Sequence, residues 1–145
     1  MLTLVDVKAA INTLLKDKYG YKVYGREVKE GFETPSFFVE LLVDGMNAEN
    51  VNFTSNTLTV IITYFQSEPS DLDNIKKYDG IKALFMPKLV VKDRHLTTSN
   101  FRYEYADTDF MQIYFDLNYY DGTTKDEGDA PLMEKIYLNL KGGEQ

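Results

Sequence analysis

The chain has 145 residues, a mass of 16.7 kDa and a net charge of −7 from 16 basic and 23 acidic side chains. That length suits one domain, and 43% hydrophobic content with 14% aromatics excludes a disordered chain. The absence of cysteine excludes a disulfide scaffold, a thiolate metal site and a cysteine nucleophile, and the acidic surplus argues against a general grip on nucleic-acid phosphates.

Thr3 followed by Asp6 resembles a capping box, and Leu4, Val7, Ile11, Leu14 and Leu15 recur at helical spacing until Gly20. Lys16 and Lys18 suit the last turn of that helix. Tyr21 to Tyr24 reads as a short strand, and the charged stretch carrying Gly31 and Pro35 reads as a loop. Phe37, Val39, Leu41 and Val43 then alternate with Phe38, Glu40 and Leu42 in a strand, and Asp44 to Asn50 is turn chemistry. Thr57 to Phe65 is apolar on both faces, which predicts a central strand covered on both sides.

Ser70 and Asp73 offer a second capping box, opening a helix through Leu72, Ile75, Ile81, Leu84 and Phe85 that Pro87 ends. Gly80 predicts a kink or break near Tyr78-Asp79-Gly80. Leu89 to Val91 is a short strand with Arg94 to Leu96 as its return partner. Phe101 to Ala106 and Phe110 to Tyr120 form a hairpin across Asp107-Thr108-Asp109. Residues 121–131 read as a polar linker to a C-terminal strand over 132–140, where Ile136, Leu138 and Leu140 alternate with Lys135, Tyr137 and Asn139. The order predicts an α+β fold: a mostly antiparallel sheet with an N-terminal amphipathic helix and a second, central helix packed on it, as one domain over 1–145.

Candidate chemistry is sparse. His95 is the only histidine, which with no cysteine supports neither a zinc site nor a catalytic triad. Asp107-Thr108-Asp109 suits a turn better than a phosphotransfer site, and Asp121, Asp126, Glu127 and Asp129 miss the calcium-loop spacing. Tyr103, Tyr105, Tyr114, Tyr119 and Tyr120 raise a base-stacking platform, but their neighbours Glu104, Asp107, Asp109, Asp116 and Asp121 are acidic, which favours sheet core or subunit contact. The sequence thus predicts no enzyme, no catalytic residue, no metal and no cofactor. The opening Met-Leu-Thr-Leu-Val-Asp lacks the basic region of a secretory signal, and no apolar run reaches membrane-spanning length, which predicts assembly in the cytoplasm without a membrane partner.

One set of segments carries a resemblance. The acidic-valine step at Glu27-Val28, then Glu30-Gly31-Phe32, Pro35 and Phe37-Phe38-Val39, resembles the small tail terminator proteins of contractile-tailed phages, prophages and phage-tail-like particles of Gram-positive hosts. The likeness extends through Leu2-Thr3-Leu4, Thr57 to Phe65, Phe101-Arg102-Tyr103-Glu104 and Phe115 to Asp121. It implies a structural virion protein that forms a homo-oligomeric ring, usually a hexamer, on the head-proximal end of the tail. Such a ring stops polymerisation of the tube protein, engages the sheath protein and docks neck or head-completion proteins, while DNA passes through without specific binding. Phe32 and Pro35 are the candidate interface residues, set against the alternative that they only fix entry into the strand. The alternatives in function are another neck, head–tail joining or tail-completion protein, and a generic ligand-binding α+β domain.

Overall fold

The first helix, α1, spans Leu4–Tyr19 and begins where the sequence places its cap. The Thr3 hydroxyl accepts from the Asp6 amide at 3.1 Å, and the Asp6 carboxylate accepts from the Thr3 amide at 3.0 Å, so two orphan donors are satisfied reciprocally. Gly20 ends it at φ 74, a left-handed position that suits glycine. The computed structural model describes residues 2–25, 30–48, 53–106 and 110–122, with 46–48, 53–54, 121 and 122 described by backbone alone. The turn expected at 107–109, the part of the expected linker 121–131 beyond Gly122 and the strand expected over 132–140 lie outside the described residues.

Six strands follow: β1 Lys22–Tyr24, β2 Ser36–Ala48, β3 Phe53–Phe65, β4 Lys88–Val91, β5 Arg94–Ala106 and β6 Phe110–Gly122, with helix α2, Asp71–Phe85, between β3 and β4. They make one sheet in the order β1-β2-β3-β6-β5-β4. β1 runs parallel to β2, and the remaining pairs are antiparallel, as the α+β reading expects.

Both helices pack on one face of this sheet. Val7, Ile11 and Leu15 of α1 and Ile81 and Phe85 of α2 share a single core with Phe37, Val39, Leu58, Val60, Ile62, Met111, Ile113, Phe115 and Leu117. The alternate side chains of β2, β3 and β6 point to the opposite face, because side chains in a strand alternate. Among the described residues no element covers that face, which corrects the expectation that β3 is covered on both sides. Thr59 and Ile61 are nonetheless buried there, flanked in register by Leu42 and Glu40 on β2 and by Asp116 and Tyr114 on β6.

Three further expectations change. β2 runs on through Asp44 to Ala48 rather than ending in a turn, with a register shift between Val43 and Gly45 that absorbs the turn-like residues as a bulge. β5 is one strand from Arg94 to Ala106, not two, with a comparable irregularity between Ser99 and Arg102 where Asn100 takes φ 57. Helix α2 is continuous through Gly80. A Cβ there would lie 2.3 Å from the Tyr19 hydroxyl, and the Lys18 ammonium donates to the Gly80 carbonyl at 2.9 Å. Glycine at that position lets the end of α1 approach α2; it does not break the helix.

Candidate interaction surface

The uncovered sheet face divides into an aromatic end and a polar end. At the aromatic end Phe38, Phe65 and Phe110 come from three adjacent strands, with ring centroids 4.9 Å apart for the first pair and 4.4 Å for the second. Phe32 reaches this strip from the loop before β2, lying 5.0 Å from Phe38 in an edge-to-face pair and 4.9 Å from Phe65. Tyr24 joins from β1, 6.1 Å from Phe32, and its hydroxyl accepts from the Glu33 amide at 3.1 Å. Such contacts add to the burial of the rings, which remain half-exposed.

Of the two residues singled out from sequence, Phe32 therefore stands inside a four-phenylalanine strip, and Pro35 is a half-buried residue immediately before β2, joined to Thr34 by a cis peptide bond. The sequence reading missed Phe38, Phe65 and Phe110 as members of this surface. Their signal was present: all three fall out of phase with the buried face of their strands.

At the polar end the Thr59 hydroxyl lies 2.6 Å from Asp44 Oδ2 and 3.2 Å from Asp116 Oδ1, and its single proton serves one carboxylate at a time. Asp116 also accepts from Asn100 Nδ2 at 3.2 Å and lies 3.5 Å from the Arg102 guanidinium, which sits 5.2 Å over the Tyr114 ring. Burial, with Glu104 nearby, pushes the Tyr114 hydroxyl above the usual tyrosine range.

A cleft of about 760 Å³ adjoins the aromatic end, between the start of α2 and the β5–β6 pair. Phe110 and Tyr105 form one wall, and Pro69, Ser70, Asp71 and Asn74 the other. The Tyr105 hydroxyl donates to Asp71 at 3.0 Å, and burial together with that carboxylate raises its pKa. The capping box expected at Ser70 forms by half. Ser70 Oγ accepts from the Asp73 amide at 3.2 Å, but the Ser70 amide donates to Gln66 Oε1 at 3.2 Å.

The Asp73 carboxylate instead turns to Tyr64, Gln66 and Lys77, accepting at 2.7, 3.0 and 2.9 Å. Burial opposes its charge, yet these three donors outweigh it and hold the carboxyl down at about 2. Burial and the adjacent Asp73 push the Tyr64 hydroxyl far above its ordinary value.

The tyrosines weighed as a stacking platform do not share one surface. Tyr119 is buried in the core, and Tyr103 and Tyr105 lie on the helix side of the β5 edge, where Tyr103 meets Tyr78 at 4.9 Å. Tyr114 and Tyr120 fall on the other face. His95 is exposed near the start of β5, opposite Val90. Among the described residues no group of acidic or histidine side chains is placed to hold a metal ion, and no helix is long and apolar enough to cross a membrane.

The described residues thus make a helix-backed sheet with one aromatic and acidic face that none of them covers. The family model described as phage tail terminator protein matches residues 6–129, and the chain belongs to that family. Comparison with curated proteins gives no match. Membership places the chain among structural components of phage tails that act with other tail and head proteins.

Proposed function

We propose that the chain terminates a phage tail as a closed ring of identical copies, a hexamer, seated on the head-proximal end of the tube. In this reading the ring stops addition of tube subunits, engages the last sheath ring of a contractile tail and presents its far side to neck or head-completion proteins. The observation that carries it is the open sheet face, where Phe32, Phe38, Phe65 and Phe110 form an apolar strip with Glu40 next along β2 and Asp44 at the opposite, polar end. Aromatic rings of this kind dominate protein–protein contacts because they bury area with few rotatable bonds. Phe32 and Pro35 belong to that contact in the proposal. A head-to-tail interface whose rotation closes gives a ring with no cofactor and no turnover. The acidic balance suits a lumen through which DNA passes without adhering.

The test is the solution mass of the purified protein, alone and with tube protein, followed by electron microscopy. Tubes of capped length with a ring of density at one end support termination. Uncapped tubes with a monomeric protein overturn it and move a neck or head–tail joining role to first place.

A further inference from the structure

We propose that the cleft beside Phe110 is a pocket for an arginine side chain presented by another protein of the tail. At about 760 Å³ it has ample room for a guanidinium and its stem, and Phe110 joins it to the aromatic strip.

The first observation is the chemistry of the lining. Tyr105 and Phe110 supply aromatic surface, on which a guanidinium packs better than an ammonium. Asp71 supplies a carboxylate: its Oδ1 accepts from Tyr105 at 3.0 Å, and its Oδ2 has no donor among the described residues. No lysine, arginine or histidine among the described residues lines the cleft, so nothing in its wall opposes that charge. A helix start alone would attract an anion, but Asp71 and Asp73 already meet the dipole in the first turn of α2.

The second observation is independent of charge. Asn74 lines the same cleft, is only 5% exposed, and its Oδ1 has no hydrogen-bond partner among the described residues. Buried acceptors are normally paired, so this one calls for a donor. The Asn74 amide is turned towards the Tyr105 hydroxyl on the opposite wall, which directs the group across the cleft. The terminal torsion of asparagine is soft, so a donor lodged there can draw Oδ1 towards itself. Asp71 and Asn74 stand three residues apart on one face of α2. The planar fork of a guanidinium, with five N–H donors, can serve both at once.

The occupant comes from a different protein, because the described arginines of this chain are engaged. Arg94 donates to the Tyr120 carbonyl, and Arg102 donates to the Asn100 carbonyl at 2.7 Å and lies 3.5 Å from Asp116. Family membership supplies the class of partner, since tail terminators act with other tail and head proteins. The inference needs neither a ring nor the capping of tubes.

The experiment is a nuclear magnetic resonance titration of the full chain with the capped tripeptide Gly-Arg-Gly, its citrulline and lysine counterparts, and free arginine. The expected result is saturable shifts at Asp71, Asn74, Tyr105 and Phe110, including the Asn74 side-chain amide. The neutral citrulline peptide binds more weakly by about tenfold or more, and so does the arginine peptide to Asp71→Asn. Asp79→Asn, which removes an exposed carboxylate elsewhere on α2, leaves the affinity unchanged. Asn74→Ala lowers it; if that variant unfolds, Asp71→Asn, at an exposed residue, decides. Absence of saturable shifts at these residues overturns the proposal, as does equal binding of the citrulline or the lysine peptide. Free arginine binding as tightly as the peptide assigns the cleft to a small molecule and overturns the protein source. Shifts at the same residues that grow with protein concentration alone assign it to a second copy, with the same consequence. All of these outcomes read the cleft itself, so a failure to cap tubes would overturn the terminator reading and leave this result standing.

Discussion

The Lys77 ammonium lies 5.1 Å from the centroid of the Tyr64 ring, and Tyr19 and Tyr21 flank it at 5.5 Å each. Its charge is met by Asp73 at 2.9 Å in an i,i+4 pair. One lysine thus ties α2 to the end of α1, to the residue before β1 and to β3. Burial works against the ammonium, but Asp73 and Tyr21 raise its pKa above the ordinary lysine value.

A pH dependence follows. Asp73 titrates at about 2 in the folded chain against 3.8 for an unperturbed carboxyl. A depressed folded value means its contribution is whole above 3.8 and is lost as the pH falls towards about 2. Lys77 and Tyr64 are both raised, so their contribution is whole below their ordinary values and is lost as the pH rises beyond them. Asp73→Asn is expected to cost about 1–2 kcal/mol at neutral pH, allowing for partial solvent screening, and almost nothing near pH 2. Urea titrations at both pH values check this; an equal cost at each would remove the electrostatic account.

The contact between Tyr19 and Gly80 inverts the usual helix rule. Glycine to alanine inside a helix ordinarily stabilises by about 0.5–1 kcal/mol. Here the added methyl meets the Tyr19 hydroxyl at 2.3 Å, and Tyr19 is held by Tyr21 and Phe37 at 5.6 and 5.4 Å. Gly80→Ala is expected to destabilise by about 1–2 kcal/mol, with Tyr19→Phe in the same chain recovering most of the loss. Thermal melts of the two single variants and the double variant form the cycle. An additive double variant would mean the hydroxyl is not the obstacle.

How far the fold was legible depends on where the determining contact lies in sequence. α1 was readable because both ends are local: Thr3 with Asp6 at one, Gly20 at the other. The strands of the core were readable because Leu58, Val60 and Ile62 keep strict period two. Gly80 was misread because its partner, Tyr19, is 61 residues away and no local pattern announces it. β2 was read as ending near Asp44 for a similar reason. The bulge that carries the strand onward is imposed by pairing with Thr57 and Asn56 of β3, against the local turn preference of Asp44-Gly45. On the surface, Phe32 was visible as part of a recognisable segment, whereas Phe65 was read as part of a second buried face and Phe38 only as the alternate side of its strand. Apolar residues on both sides of β3 mark a covered strand and an interface strand alike, and only the placement of the helices separates the two.

Phe32 tests which of those readings governs the aromatic strip. Its ring meets Phe38, Phe65 and Tyr24 on the face away from the helices, so the helix-side core does not depend on it. Phe32→Ser is expected to stay folded with a loss of about 1–2 kcal/mol and to fail in ring formation or tail docking. Phe110→Ser, at a residue 36% exposed at the far end of the strip, is expected to fail likewise with a smaller stability cost. Circular dichroism with sedimentation separates the outcomes: unfolded Phe32→Ser monomer assigns the ring to packing alone.

Thr98 closes the C-terminal end of α2. Its hydroxyl donates to the Phe85 carbonyl at 3.0 Å, an acceptor that the helix end leaves without an intrahelical donor, and its amide donates to the Pro87 carbonyl just beyond the helix at 3.1 Å. The site is buried beside the Phe85 ring, itself stacked on Phe115 at 5.1 Å. Thr98→Val keeps shape and volume but leaves the Phe85 carbonyl without that donor in a place water does not reach. The expected cost is about 1–3 kcal/mol, and Thr98→Ser, which keeps the hydroxyl, is expected to lose less than half of that. Denaturant midpoints for the two variants decide it. If valine proves as stable as threonine, the carbonyl has another partner, and α2 is held to the sheet by the packing of Phe85 and Ile81 alone.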